Sequence, residues 1–561
     1  MTTPIDALAN SFWESYLVLS PITATQYGDE RYADRLPDPG PEGRARLRRL
    51  AEETRAAAEA FDDASLSVED RITRDMLVLV GRRFVELDDT RFDVLDAVDP
   101  MYGPQTILPQ TCAFQPADTP ERLEQFLARL HAYPAYMAAN RELLRDGLAS
   151  GLTAARVVAE RVIAQLEGIL ATPIEQAVIP SLARVASEAD RERVRAVVRD
   201  EVYPADAAFL EALRDDYLAA TRTQPGLVSA PGGLDLYRMR IRHNTTLDLG
   251  PAELHQFGLD EMAAIEAEWR EIAGRAGFDD SREYRRTLER DPANLPASAE
   301  ALLARANEQI AAAMAVAPRF FGRLPAAPCE VRAVEAFKEK DAPFAYYYPP
   351  AADGSRGGLF YVNTWDLPTR TFSKLASVTA HEAVPGHHFQ IALEVESTGL
   401  NAFRRMGSRL AGAAYAEGWG LYSERLAVEM GLYRNDAERF GMLDHQAWRA
   451  ARLVVDTGLH AFGWSRDRSL EVLRRVGLSE TDATIETDRY IAHPGQALAY
   501  KVGQREIERL RAQLTARDGD RFDLRAFHDA VIGHGSVPLA TLAREVPGWV
   551  SPQGKVSPQG G

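Results

Sequence analysis

Three of the chain's eleven histidines fall within eight positions, in His381-Glu382-Ala383-Val384-Pro385-Gly386-His387-His388-Phe389-Gln390. Imidazoles hold a divalent metal, and a carboxylate directly after the first can take the proton of an attacking water. That is the residue inventory of a zinc hydrolase. The spacing differs from His-Glu-x-x-His, which sets two imidazoles one helical turn apart on one face. Here position i+4 is Pro385, and the next histidines stand at i+6 and i+7. On an unbroken helix, i+7 returns to the same face about 10.5 Å further along the axis, a span two imidazoles can barely bridge. Pro385 lacks a backbone donor and Gly386 tolerates unusual dihedrals, so an unwound or π-bulged turn is expected to absorb two residues. His381 and His387 then become the ligands, with His388 as the alternate ligand or a hydrogen-bonding neighbour.

A carboxylate suits the third position on zinc. About thirty residues on, Ala413 to Leu426 reads as a helix with Tyr415, Trp419, Tyr422 and Leu426 on an inward stripe. Glu417 stands among small and aromatic residues, where an unpaired carboxylate is costly to bury and a metal would remove the cost. Glu424, seven residues later on the same face, is placed to orient a ligand histidine from behind. A protein fold could equally pair it with an arginine.

A hydrolase also needs a donor for the oxyanion it forms, and Tyr or His supplies one. The polar stretch from Asp488 to Lys501 offers Tyr490, His493 and Tyr500. Basic side chains number 65, yet only five are lysines, at 338, 340, 374, 501 and 555. Against that bias Lys501 is a candidate point charge for a substrate carboxylate; a solvated surface lysine is the plain alternative. His460, at the end of Arg452 to His460, either faces the substrate or caps an interior helix.

These segments resemble the bacterial domain-of-unknown-function 885 family, related to the thimet-oligopeptidase and angiotensin-converting-enzyme kind of gluzincin metallopeptidase. The resemblance is carried by 381–390, by Glu417-Gly-Trp-Gly-Leu-Tyr-Ser-Glu424, by 452–460 and by 494–503, with a weaker echo at 533–539. It implies metallopeptidase chemistry and leaves the substrate open. In gluzincins an edge strand beside the metal helix binds extended peptide by backbone pairing. Phe344 to Pro350 and Gly358 to Thr364, rich in aromatic and β-branched residues, supply a short sheet in that place. By the resemblance, Tyr361 to Thr364, Tyr361 and Asn363 included, line the cleft; a hairpin covering the core is the alternative.

The elements that position these residues are overwhelmingly helical. Ala, Arg, Glu and Leu dominate 41–61, 120–147, 154–170, 188–220, 251–274 and 298–315, with apolar residues at three- and four-residue steps. The expected fold is mainly α, a large two-lobed helical protein with a deep cleft and a small β-sheet beside the metal-binding helix. Pro and Gly over 224–234 mark the lobe boundary. It separates an N-terminal helical lobe (1–225) from a metal-binding catalytic lobe (235–549) whose motif helix runs 373–395. The tail, 550–561, repeats Val-Ser-Pro-Gln-Gly and reads as disordered.

At 561 residues, 46% hydrophobic and 26% charged, the composition is that of a globular protein. The net charge of −17 speaks against nucleic acid and anionic membranes as partners. Cys112 and Cys329 are too few for a disulfide framework and read as free core thiols. A start without a basic stretch and apolar run suggests a cytoplasmic protein.

The reading is a metal-dependent hydrolase with one zinc per chain, a metallopeptidase or amidohydrolase acting on short peptides or small amides with Glu382 as general base. Two alternatives remain. A His-His-Glu set also serves non-haem iron oxygenases, although these need no adjacent base. A non-catalytic structural metal site is the other, although such sites are usually closed and Cys-rich.

Overall fold

The structure, a computed structural model, describes residues 3–112, 114–335, 339, 343–351, 354 and 356–550. Beyond Val550 the tail expectation lies outside these residues. Helix occupies 72% and strand 4% of the chain, so the fold is mainly α. The helical segments expected from periodicity form as Pro41–Glu59, Pro120–Ser150, Arg156–Ala171, Pro251–Arg275 and Ala299–Val316. Their starts follow local chemistry: Pro at the first turn where no donor is needed, and Thr119 and Ser298 side chains accepting backbone N–H bonds as N-caps.

Two apolar cores organise the molecule, and neither follows the expected division at 225/235. The first draws chiefly on 5–94, 227–254, 302–432 and 498–550. The second draws on 97–217, 265–288 and 440–497. Both halves of the chain thus feed both cores, and the lobes are interleaved. Gly/Pro punctuation marks a turn in the chain; it does not report which buried faces meet afterwards.

Six helices and three strands position the site. They are β1 (Cys329–Ala333), β2 (Ala345–Tyr348), β3 (Gly358–Val362), α1 (Phe372–Glu382), α2 (His387–Glu396), α3 (Ala414–Glu429), α4 (Asp436–His460), α5 (Glu480–Ala492) and α6 (Ala499–Asp518). α1 packs on α3 and α4, and α3 on α6. The α3–α6 approach is backbone to backbone: a Cβ on Gly418 would come to 2.4 Å from Gly503 Cα. β2 lies against α1 and α2, as a sheet beside the metal helix should. Cys329 stands on β1 and Cys112 in the second core, both free thiols.

The sheet order is β1-β3-β2, with β1 parallel and β2 antiparallel to β3. β3 is therefore the central strand, and Tyr361 pairs with Arg332 on one side and Tyr346 on the other. Its backbone groups are taken, which corrects the expectation of a peptide-binding edge at Tyr361. β1 escapes a sequence reading because Cys-Glu-Val-Arg-Ala carries charges on a half-exposed edge.

Candidate metal centre

α1 ends at Glu382 and α2 begins at His387. The chain between them turns through Ala383 (φ −104°, ψ −102°), a cis Val384–Pro385 peptide and Gly386 (φ −78°, ψ −130°). The expected bulge within one helix over 373–395 is instead a break between two. A Cβ on Gly386 would come to 1.8 Å from the His381 carbonyl oxygen, so only glycine allows α2 to start so close to the end of α1. The break is held from α3, where Trp419 Nε1 and Ser423 Oγ donate to the Pro385 carbonyl at 2.9 and 3.3 Å.

The break turns the His387 ring towards that of His381, centroid to centroid 4.7 Å. Glu417 Oε2 lies 3.6 Å from His381 Nε2 and 3.6 Å from His387 Nε2. These spans exceed a hydrogen bond. They are close to the separation of about 3.4 Å between tetrahedral ligand atoms bonded at about 2.0–2.1 Å to zinc. Glu382 joins the group, with an oxygen within 4.8 Å of both histidines' ligand atoms. The two equal 3.6 Å spans make Glu417 the better third ligand and leave Glu382 beside the centre. Glu417 and His387 side chains keep 22% and 12% of their exposure, so the centre is open on one side.

One helix supplies the carboxylates that face the two nitrogens of His381. Glu424, wholly buried on α3, accepts a hydrogen bond from His381 Nδ1 at 2.9 Å. That fixes the tautomer with the Nε2 lone pair facing Glu417. Gly420 lies between the two carboxylates, and a Cβ there would meet the His381 ring at 2.8 Å. Gln446 on α4 donates to Glu424 at 3.0 Å and accepts from Lys501 at 3.0 Å. His387 has no such support among the described residues, where its buried Nδ1 meets no partner.

Burial alone would lower the His381 pKa, but Glu417 and Glu424 hold it up to about 9. Burial would raise Glu424, and the His381 hydrogen bond brings it down to about 2. Burial raises the Glu382 pKa, opposed by the charges of His387 and His381. A set of two imidazoles and a carboxylate, convergent and outside hydrogen-bond range of one another, fits a divalent cation. His381, His387 and Glu417 would hold it.

His388 is not in this set. Successive helical residues diverge by about 100°, and His388 turns to β2. There its Nδ1 meets Tyr347 Oη at 3.0 Å and its Nε2 the Ala327 carbonyl at 3.1 Å.

Tyr500 comes beside the centre, its ring stacked 6.4 Å from that of His381. Burial and then the Glu417 charge raise its pKa, so it stays a protonated donor. Tyr490 does not join it. Its hydroxyl donates to Glu486 at 2.7 Å and accepts from Arg452 at 3.0 Å, deep in the second core. His493 turns to the N-terminal half, with Nε2 3.2 Å from Asp99 and its ring edge-on to Tyr102.

The expected substrate contacts are structural. Lys501 is buried and bonds Glu261 at 2.7 Å, which removes it from a substrate carboxylate. His460 is fully buried between the Leu227 amide and the Tyr490 carbonyl. Asn363 is fully buried and bonds the Glu339 carbonyl and the Trp365 amide. Tyr361 stacks on Tyr346 at 5.0 Å.

Sequence reading missed Gln446 and Arg449. Arg449 is buried next to Tyr500, and its Nε and Nη1 bond nothing among the described residues. Both stand on α4 three residues apart, with Arg452 a further three on. That step was the available signal, but it does not separate a buried arginine from a surface one.

The model of the bacterial proteins of unknown function DUF885 matches residues 21–546. The chain belongs to the DUF885 family. No curated protein matches. Among solved structures, a "putative lipoprotein" from Colwellia psychrerythraea is 29% identical with a TM-score of 0.91, covering 97% of this chain and 98% of that one. A second, from Shewanella oneidensis and of unknown function, is 18% identical with a TM-score of 0.76, covering 97% and 99%, and shares the fold. Both of these proteins are described as putative lipoproteins, a description of membrane-anchored or extracytoplasmic proteins and not of cytoplasmic ones. That finding overturns the cytoplasmic expectation. No single helix among the described residues is long and apolar enough to cross a membrane.

Proposed function

We propose that the chain is a metal-dependent hydrolase, a zinc metallopeptidase acting on short peptides or amide-linked small molecules. Its place of work, by likeness to the lipoproteins, is outside the cytoplasm. One observation carries the chemistry: Glu417 Oε2 stands 3.6 Å from the Nε2 atoms of both His381 and His387, while Glu424 fixes the His381 tautomer.

Bound zinc would supply Lewis-acid polarisation of the scissile carbonyl and a lowered pKa for water. The remaining work falls to the chain. Glu382 takes a proton from the attacking water as the new C–O bond forms, then delivers it to the amine nitrogen as the C–N bond breaks. Tyr500 donates a hydrogen bond to the oxyanion. Glu424 and Gln446 keep the His381 ring from turning.

The test is metal analysis with peptide turnover on wild type and on His381→Ala, His387→Ala, His388→Ala, Glu417→Ala and Glu382→Gln. One zinc per chain is expected in wild type, His388→Ala and Glu382→Gln, and none in the other three. Glu382→Gln should bind metal and cleave nothing. Full turnover in that variant, or no metal in wild type after reconstitution, would end this reading. Iron in place of zinc would move it to oxygen chemistry.

A further inference from the structure

Beside the metal centre, one guanidinium is buried without a hydrogen-bond partner among the described residues. Arg449 retains 8% exposure, and its Nε and Nη1 hydrogen-bond nothing. Burying an unpaired charge is costly, so such a group normally has a partner. The carboxylates in electrostatic range are Glu424, Glu417 and Glu382, the last being the proton acceptor of the proposed reaction. Glu424 is committed to His381 and Gln446, and Glu417 faces the two ligand nitrogens.

The surroundings are cationic. Arg449 Cζ stands 6.0 Å and Arg452 Cζ 4.4 Å from the Tyr500 ring centroid. Arg452 and Arg489 both lean on Glu486, at 3.2 and 2.7 Å. That leaves Arg449 as the guanidinium with no carboxylate of its own. Trp448 lies under it at 4.5 Å, a flat apolar face that holds the planar fork without satisfying its donors.

We infer that Arg449 is the carboxylate-binding residue of the active site, selecting substrates that carry a free carboxylate close to the bond cut. This rests on the hydrolase reading. The spans from the Tyr500 ring, 6.4 Å to His381 and 6.0 Å to Arg449, set the reach. At about 3.3–3.6 Å per extended residue, the carboxylate stands one to three residues beyond the scissile amide. The substrate class is therefore the free C-terminal end of a peptide, or a small amide of an amino acid. A bidentate pair with the guanidinium fork is the contact.

The test is direct binding of N-benzoylglycylglycine and of its C-terminal amide, by calorimetry, to the Glu382→Gln protein, which removes turnover. The acid should bind about ten- to a hundredfold more tightly than the amide, as a charged hydrogen-bonded pair predicts. Adding Arg449→Gln should erase that preference and leave amide affinity unchanged. Equal binding of acid and amide, or no binding of either, overturns the assignment without any arginine variant. So does a preference that survives in folded Arg449→Gln, or an equal loss for both ligands. If Arg449→Gln does not fold, Arg449→Lys, which keeps the charge and loses the fork, must show a reduced acid preference. Acid preference in a chain whose wild type cleaves no peptide would sustain the carboxylate site and remove hydrolysis alone.

Discussion

His381 is held at Nδ1 by Glu424 while its Nε2 faces Glu417 on the same helix, so its orientation is set before any metal arrives. Glu424→Gln keeps a hydrogen-bonding shape but removes the charge, and should weaken zinc about 10- to 100-fold, read by competition with a chelator. Tyr500→Phe should lower kcat about 10²- to 10³-fold with zinc content unchanged. If zinc is lost with it, Tyr500 is a support for His381 and not an oxyanion donor. Lys501→Met should leave the acid-over-amide preference intact, since Lys501 is spent on Glu261 and Gln446. The cluster of His381, His387, Glu417 and Glu424 was legible because the residue types suit a metal, Pro385-Gly386 signals a distortion between the two histidines, and Glu417 and Glu424 are seven apart on one helix. The stretch from 488 to 501 was not, because it crosses from α5 to α6. Tyr490 and Tyr500 end on different elements, and Lys501, one residue past Tyr500, turns to another side.

At the scale of elements, two glycines decide whether the ligands meet. Gly420 makes room on α3 for the His381 ring, and a Cβ there would sit 2.8 Å from it. Gly420→Ala should retain helical content, cost about 1–3 kcal/mol as overpacking does, and lose zinc occupancy by pushing the ring off its axis. Thermal melts with a metal titration check both; unchanged zinc affinity would mean the ring has slack. Pro385 and Gly386 announced a distortion, but its extent depends on α3, whose Trp419 and Ser423 capture the Pro385 carbonyl. No local signal carries that tertiary contact. The strand pairing was hidden in the same way: β3 is central because β1 joins it from Cys329, and the short alternation of β1 does not say which strand it will pair with.

Across the whole molecule, buried neutral histidines tie stability to pH. Burial lowers His460 and His528 to about 3, against about 6.5 in an unfolded chain. Between those values the folded state binds fewer protons than the unfolded one, so stability falls as pH falls. Their contribution is intact above about pH 6.5 and lost progressively towards pH 3. Melting temperature should drop over that window, and the drop should be shallower in His460→Gln. The two cores share α4 and the helix Pro251–Arg275, so unfolding should be one transition by fluorescence and circular dichroism alike. Interleaving has a mechanical corollary. A protease that nicks the exposed Thr223–Gln224 bond would make two polypeptides, each holding part of both cores. They should run apart on a denaturing gel yet travel together through a sizing column at the intact 62.0 kDa. The molecule is clasped like folded hands, and cutting one wrist does not part them.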